Sequence, residues 1–286
     1  MTTDATAIAE REASRCVSCG ATLRGKYCHA CGEKAFNPHE HSVKHFLKEF
    51  IHTLTHIDSK FFKSLISLFC KPGVLTRDYI AGKKKSFTRP ITLFIIGNVL
   101  YFFVQPLANI NSFNSTLRHQ IAPRMLHGPW AQRLVADKIK TTDFSSAAFQ
   151  EFEQRYNAKS EQLAKTLIIV QIPLFALLLG LSHFYLKRFY FDHLIFATHF
   201  FAFLIYLNIL ATLGVFVYLK LGSNNLNFEV AFFIICIIYL MFALHNAYRQ
   251  KPVVTLLQSV LATAGFVVSL FVYRIILFLM TYATVS

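Results

Sequence analysis

Long apolar runs, separated by short polar segments, dominate the last two thirds of this chain. Five of the runs hold about 20 mostly uncharged residues each, the length that a helix needs to cross a bilayer. They lie at residues 90–107, 164–186, 193–219, 228–246 and 254–281. The pattern predicts an all-α membrane protein: a five-helix transmembrane bundle over residues 90–286, with an external loop at residues 108–163.

Ahead of the first span, apolar residues recur at the spacing of a helix instead of forming continuous runs. Apolar side chains share one face of residues 42–57, with Ser42 as a plausible N-cap, and this predicts an amphipathic helix in the cytoplasmic interface or against the spans. A second short helix is predicted from Asp58 or Ser59 to Phe69, because Lys71-Pro72-Gly73 is a strong helix break. Residues 42–89 are therefore predicted to be interfacial helices.

Four histidines occupy the opposite face of the first of these helices. They are His41, His45, His52 and His56. Histidines four residues apart on a helix can share a metal ion. No cysteine or carboxylate joins them in register, so a solvated polar face is the preferred interpretation.

Four cysteines near the start of the chain follow a C-x2-C-x8-C-x2-C pattern. They are Cys16, Cys19, Cys28 and Cys31. Two such pairs complete the tetrahedral sulfur set that structural Zn²⁺ prefers, so residues 14–36 are predicted to form a zinc ribbon. The stretch between the pairs reads as a short hairpin with Gly25 at its turn. Metal binding would supply the folding free energy, because so few residues cannot bury a core of their own.

A pair of disulfides is the alternative for these cysteines. Zinc is favoured because the spacing is specific and because the topology places the ribbon in a reducing compartment. Cys70 and Cys236 lie alone in apolar segments and are interpreted as small buried hydrophobic residues.

Composition excludes an ordinary soluble protein. Hydrophobic residues make up 54% of the 286 residues, and charged residues only 15%, against roughly 25% in a typical soluble chain. Nothing before residue 90 resembles a signal peptide.

Basic residues decide the predicted orientation. The chain up to Arg89 holds 15 of the 29 lysines and arginines. The loops after the second and fourth spans are basic as well, whereas the loop after the third is nearly neutral. Positive residues favour the cytoplasmic side, so the N-terminus is predicted to be cytoplasmic and the C-terminus external or periplasmic. The membrane is predicted to be the inner membrane of a bacterium.

The formal net charge of +14 indicates which partners to expect. The basic residues cluster beside the bilayer, which favours attraction to the anionic cytoplasmic leaflet over binding of nucleic acid.

Three stretches carry a resemblance to a known family: CVSCGATLRGKYCHACGEK, DSKFFKSLISLFCKPGVLTRDYIAGKKKSF, and DHLIFATHFFAFL at residues 192–204. They resemble the bacterial membrane family known as domain of unknown function 3667. The resemblance implies zinc on the four cysteines and implies no reaction. The chain differs from the expected pattern at His29, which follows the third cysteine, and at Asp192, which precedes His193.

Polar residues inside the predicted spans are candidate functional groups, because polar groups in a bilayer need partners. The candidates are Asn98, Gln171, His193, His199, Asn208, Glu229 and Arg274. The alternative is that most of them form hydrogen bonds that hold helices together. Glu229 and Arg274 both fall near the outer ends of their spans, so a salt bridge between them is expected if their helices are neighbours.

No catalytic fingerprint such as GxSxG, a P-loop or HExxH occurs in the sequence. The preferred hypothesis is therefore a non-enzymatic scaffold or regulator that docks a protein partner through the cytosolic ribbon, with Leu23, Arg24 and Tyr27 as surface anchors. A small transporter or channel that uses the polar residues of the bundle is the first alternative. A membrane enzyme that acts on a lipid or quinone is the second.

Overall fold

A computed structural model describes residues 16, 19–22, 25, 27–31, 60–83, 87–107, 115–186, 188–220 and 228–285. The chain divides into two compact units, Met1–Ser59 and Lys60–Ser286. The predicted boundaries at residues 14–36, 42–89 and 90–286 remain predictions. The helix predicted at residues 42–57 lies outside the described residues.

Tight turns organise the described part of the first unit. The backbone N–H of Gly20 donates to Cys16 at 2.8 Å, and that of Cys16 donates to Ala21 at 2.8 Å. Thr22 and Tyr27 occupy bridge positions on either side of Gly25. This arrangement agrees with a short hairpin between the two cysteine pairs.

The second unit is built from ten helices over its described residues. In chain order they are α1 (residues 60–70), α2 (Val74–Ile80), α3 (Pro90–Val104), α4 (Leu117–Gln120), α5 (Gly128–Ile139), α6 (Ala147–Leu167), α7 (Gln171–Ser182), α8 (Tyr190–Lys220), α9 (Phe228–Tyr248) and α10 (Pro252–Thr284). Short 3-10 turns follow α3, α6 and α7.

Four helical segments of the described chain are long and apolar enough to cross a membrane. They are Pro90–Leu107, Ala147–Ser182, Tyr190–Tyr218 and Pro252–Thr284. Of the five predicted spans, four are thus found over the described residues. The remaining predicted span falls in α9, Phe228–Tyr248, whose described apolar part, Ile234–Tyr248, is 15 residues long. At about 1.5 Å per residue this part alone is shorter than the hydrocarbon core, so the fifth span stays a prediction.

Helix α8 is the centre of the bundle, with α3 and α7 packed along it. Phe175 of α7 lies 5.3 Å from Phe200 of α8 between ring centroids, and Phe266 of α10 lies 5.4 Å from Phe200. Phe203 stacks on Tyr239 of α9 at 3.5 Å. Interlocked aromatic rings therefore join four helices at one level of the bundle.

Helices α1 and α2 pack against α8 and α9. The ring of Phe61 lies 6.2 Å from that of Tyr206, and the ring of Phe69 lies 5.2 Å from that of Phe203. Between the two helices, the predicted break is confirmed: α1 ends at residue 70, and Gly73 has a φ of 78°. A Cβ atom on Gly73 would lie 2.1 Å from the carbonyl oxygen of Ala243. Only glycine fits this turn against α9.

Much of the segment predicted as a loop, residues 108–163, is helical. The described residues 115–167 hold α4, α5 and α6, which surround the end of α10 with a core of their own. Phe149, Tyr156 and Phe278 are fully buried at its centre. Hydropathy alone did not reveal these helices, because α5 and α6 are amphipathic and mostly polar.

Candidate functional site

The four cysteines of the first unit converge on one point. Their sulfur atoms all lie within 4.8 Å of one another. The sulfurs of Cys16 and Cys31 are 3.5 Å apart, and those of Cys19 and Cys28 are 3.6 Å apart. A zinc–sulfur distance of about 2.3 Å separates the ligands of a regular tetrahedron by about 3.8 Å, so the four residues fit a metal ion of this size.

The backbone around Cys28 favours the thiolate form of this residue. Backbone N–H groups of Cys31 and Ala30 point at the sulfur of Cys28 and lower the pKa of this thiol to about 6. A thiolate is the form that binds metal. The sulfur pairs are also too far apart for disulfide bonds, which are about 2.05 Å long, and all four cysteines are free.

The other cysteines differ from each other. Cys236 is buried, as expected, whereas Cys70 is exposed at the end of α1. The interpretation of Cys70 as a buried hydrophobic residue is therefore wrong. The histidine stripe at residues 41–56 lies outside the described residues.

Three aromatic polar residues meet where α7, α8 and α9 come together. Nδ1 of His193 lies 2.8 Å from the hydroxyl of Tyr248, a hydrogen bond between two buried groups. The ring of His183 stacks on Tyr248 at 4.8 Å and lies 5.9 Å from His193. Tyr248 therefore joins the candidate His193 to a second histidine, His183, that lies ten residues earlier in the sequence.

His199 contacts the segment that precedes the first span. Its Nδ1 lies 3.0 Å from the hydroxyl oxygen of Thr76 on α2, and both residues are buried. The ring of Tyr79 meets the same histidine edge to face at 6.4 Å. His193 and His199 thus make separate contacts, as their spacing of six residues predicts.

The remaining polar candidates differ in how they are bonded. Asn208 donates to the carbonyl of Leu204 in its own helix at 2.9 Å, and Asn98 donates to the carbonyl of Lys165 at 3.3 Å. Gln171 is fully buried, and neither atom of its amide has a hydrogen-bond partner among the described residues. An unpaired buried amide is costly, so Gln171 stands out from the others.

Arg274 lies beside the helices of residues 115–167. Its backbone carbonyl accepts a hydrogen bond from the side chain of Gln120 at 3.3 Å. The side chain of Glu229 is outside the described part of the structure. The expected salt bridge between Glu229 and Arg274 therefore remains a prediction.

The family comparison adds to this geometry. The model of the family described as "Protein of unknown function (DUF3667)" matches part of the chain. Residues 58–102 carry the match. This confirms the resemblance, and the DUF3667 segment contains α1, α2 and nearly all of α3. No curated protein and no solved structure is significantly similar to the chain.

The DUF3667 segment supplies a partner that sequence reasoning missed. Thr76 lies within it and bonds His199, which lies outside the matched residues, in the stretch 192–204. Two segments separated by more than 100 residues thus meet in the fold. The resemblance noted for both stretches in the sequence was the available signal. Nothing in the sequence pointed to Tyr248 as the partner of His193.

Proposed function

We propose that this protein is a non-enzymatic membrane scaffold or regulator whose zinc-binding head docks a protein partner at the cytoplasmic side. The single observation that carries the proposal is the convergence of four cysteine sulfurs within 4.8 Å. A set of four thiolates closes a zinc site completely, which is typical of structural rather than catalytic zinc. Such a head is a rigid surface on a membrane anchor.

The surface of the head offers an anchor for a partner. Tyr27 is 64% exposed beside the cysteine cluster. Exposed tyrosines on rigid supports are frequent centres of protein interfaces. The other two predicted anchors, Leu23 and Arg24, lie outside the described residues.

The bundle supports a packing role for most of its polar residues. His193, His199, Asn98 and Asn208 each form a hydrogen bond with another helix or with their own helix. The bonds between helices, those of His193, His199 and Asn98, hold the bundle together, at roughly 0.6 kcal/mol each. They favour a scaffold over a transport route.

A small transporter remains the second candidate, and Gln171 is the observation that favours it. Its amide is buried in the bundle and is unpaired among the described residues. A buried amide can bind a polar solute or an ordered water.

The proposed topology has five crossings, with α9 as the fourth. Helix α9 is 21 residues long, about the length that a span requires. With an odd number of crossings, the two termini lie on opposite sides of the membrane. The basic residues then place the N-terminal region inside and the C-terminus outside, in the inner membrane of a bacterium.

The zinc content of the purified protein tests whether the head binds metal as proposed. Purified protein should contain one zinc ion per chain, and Cys16→Ser or Cys28→Ser should release it because each removes a ligand. Cys70→Ser is the matched control, since Cys70 is an exposed cysteine that is not one of the four in the cluster. Metal-free wild-type protein with two disulfides would contradict both the zinc site and the cytosolic location.

Complementation of a deletion strain tests the function. A scaffold requires the head, so Tyr27→Ala, combined with changes at Leu23 and Arg24, should abolish complementation while zinc content and membrane insertion stay normal. Gln171→Ala should then be tolerated. A transporter gives the reverse result. Full complementation by a chain lacking residues 1–38 would rule out the scaffold.

A further inference from the structure

A basic cavity of about 310 Å³ lies where three segments of the second unit meet. Its charged lining consists of Arg77, Asp78, Lys83, Arg188 and Arg249. Arg77 and Lys83 come from α2 and the turn after it, Arg188 precedes α8, and Arg249 follows α9. The volume is at the lower end of the range for small-ligand sites, about 300–1,000 Å³.

The positive charge of the basic cavity exceeds its negative charge. Asp78 accepts hydrogen bonds from Arg77 at 3.0 and 3.1 Å and lies 3.8 Å from Lys83. Arg188 lies 3.7 Å from Asp192, at the start of α8. Arg249 has no ion pair with a described residue. Four cations therefore face one lining carboxylate, which is an environment for an anion.

The backbone of Arg249 is held in an unfavourable conformation. Its φ is 53°, in the left-handed region, and its N–H bonds to the carbonyl of His245 at 2.9 Å. Glycine is the usual residue at such a helix end, and other L-residues cost about 1–2 kcal/mol there. An arginine at this position places a cation in the basic cavity at a cost in backbone energy, a combination found at binding sites.

Exposed aromatic side chains flank the same end of the bundle. Tyr185 is 45% exposed and Tyr190, two residues after Arg188, is 47% exposed. Tyrosine and tryptophan are enriched at the level of lipid headgroups. Exposed tyrosines on both sides of Arg188 therefore favour a position of the basic cavity near the phosphates of a bilayer.

We propose that the basic cavity binds an anionic phosphate group, and that the headgroup of an anionic phospholipid supplies it. Guanidinium groups match the oxygens of phosphate in pairs, so Arg188 and Arg249 are the expected direct contacts, while Asp78 positions Arg77 and Lys83. The flanking tyrosines, Tyr185 and Tyr190, favour a lipid over free phosphate. The proposal does not depend on zinc or on the ribbon.

The test compares two glycine substitutions in the full-length protein. Arg249→Gly removes a cation from the basic cavity and relieves the backbone, so the variant should fold at least as well as the wild type. Lys140→Gly is the matched control, because Lys140 also has a positive φ, 56°, and is an exposed cation between α5 and α6. Both changes remove one positive charge.

Binding is measured by native mass spectrometry of detergent-solubilised protein titrated with phosphatidylglycerol, with phosphatidylcholine as the zwitterionic comparison. Loss of a charge-assisted hydrogen bond predicts that Arg249→Gly weakens phosphatidylglycerol binding about tenfold or more. Lys140→Gly should bind like the wild type, and phosphatidylcholine should bind weakly to all three proteins.

Competition with inorganic phosphate shows whether the bound phosphate group comes from a phospholipid headgroup or from free phosphate. The lipid proposal expects little competition from inorganic phosphate. If phosphate displaces phosphatidylglycerol from the wild type and itself binds less well to Arg249→Gly, the anion site stands and the lipid source is overturned. Equal binding by all three proteins, or an equal loss in both variants, overturns the site itself.

Discussion

The DUF3667 segment and the helices of residues 115–167 are stabilised in different ways. Helices α1 and α2 bury their side chains against distant helices, as Phe69 on Phe203 and Thr76 on His199 show. Helices α4, α5 and α6 bury theirs mainly against one another and the end of α10, around Tyr156 and Phe278. The DUF3667 segment packs onto the bundle, whereas the helices of residues 115–167 form a small core at the end of α10.

Two glycines show the same contrast. A Cβ on Gly73 would meet the backbone of Ala243, on a helix 170 positions later in the chain, at 2.1 Å. A Cβ on Gly128 would meet the backbone of Ala122, six positions earlier, also at 2.1 Å. The turn at Gly73 therefore depends on a long-range contact, while the turn at Gly128 depends on a local one. A destabilising substitution among the helices of residues 115–167 should therefore affect mainly that region. One in the DUF3667 segment should also affect the helices of the bundle against which it packs.

The largest expected effect concerns the side of the membrane on which each region lies. With five crossings, a reporter that is active only outside the cytoplasm should be active when fused after Ser286, at the end of α10. The same reporter fused after residue 88 should be silent. Activity at neither position would show that α9 does not cross, and the reverse pattern would mean that the basic loops face outward.

Removing the central ring of the 115–167 core should give the next largest effect. Phe278 is fully buried and contacts His127, Trp130, Tyr156 and Tyr282. Phe278→Ala should therefore cost about 3–5 kcal/mol of unfolding free energy in this region.

A control for Phe278→Ala is Phe103→Ala, because Phe103 is 77% exposed on α3. Hydrogen exchange of the reconstituted protein should show faster exchange in residues 115–167 for Phe278→Ala alone. Faster exchange in α1 and α2 as well would contradict the independence of the two regions.

The sequence predicted the parts of the fold that depend on local pattern. The spacing of the cysteines predicted their convergence, and the helix break at Pro72 and Gly73 was visible in the residues themselves. The packing of α1 and α2 on α8 was not, because Phe61 and Tyr206 are far apart in the chain and hydrophobic periodicity does not name a partner. The sequence also did not predict the positive φ of Arg249, since local propensity favours glycine at such a position.

Substitution of Gly73 tests the long-range contact of the DUF3667 segment. Gly73→Ala combines a backbone clash with a left-handed φ and should destabilise the bundle by about 2–5 kcal/mol. Gly82→Ala is the matched control: its φ is 88°, but the added Cβ has no contact within 4 Å in the part of the chain that the structure describes.

Only the backbone cost of about 1–2 kcal/mol applies to Gly82→Ala. Thermal unfolding in detergent should rank the proteins as wild type, Gly82→Ala, then Gly73→Ala. Equal losses in the two variants would mean that the contact with Ala243 adds nothing to stability.

The smallest expected effect is a dependence on pH confined to the 115–167 helices. Burial, together with the charge of Arg274, lowers the pKa of His127, and Nε2 of His127 lies 2.8 Å from Oε1 of Gln120. In the unfolded chain the histidine binds a proton below about pH 6.5, whereas the folded region resists protonation. The stability that neutral His127 provides is therefore complete above that pH and declines as the pH falls.

His127→Phe keeps a ring in the same place and removes this titration. Wild-type protein should lose protection from hydrogen exchange in residues 115–167 on acidification, and the variant should lose less. A smaller loss should persist in the variant, because burial and the charges of Arg274 and Arg124 also lower the pKa of His119. An identical loss in both proteins would show that His127 does not control the response, and the pH dependence would then belong to other groups of this region.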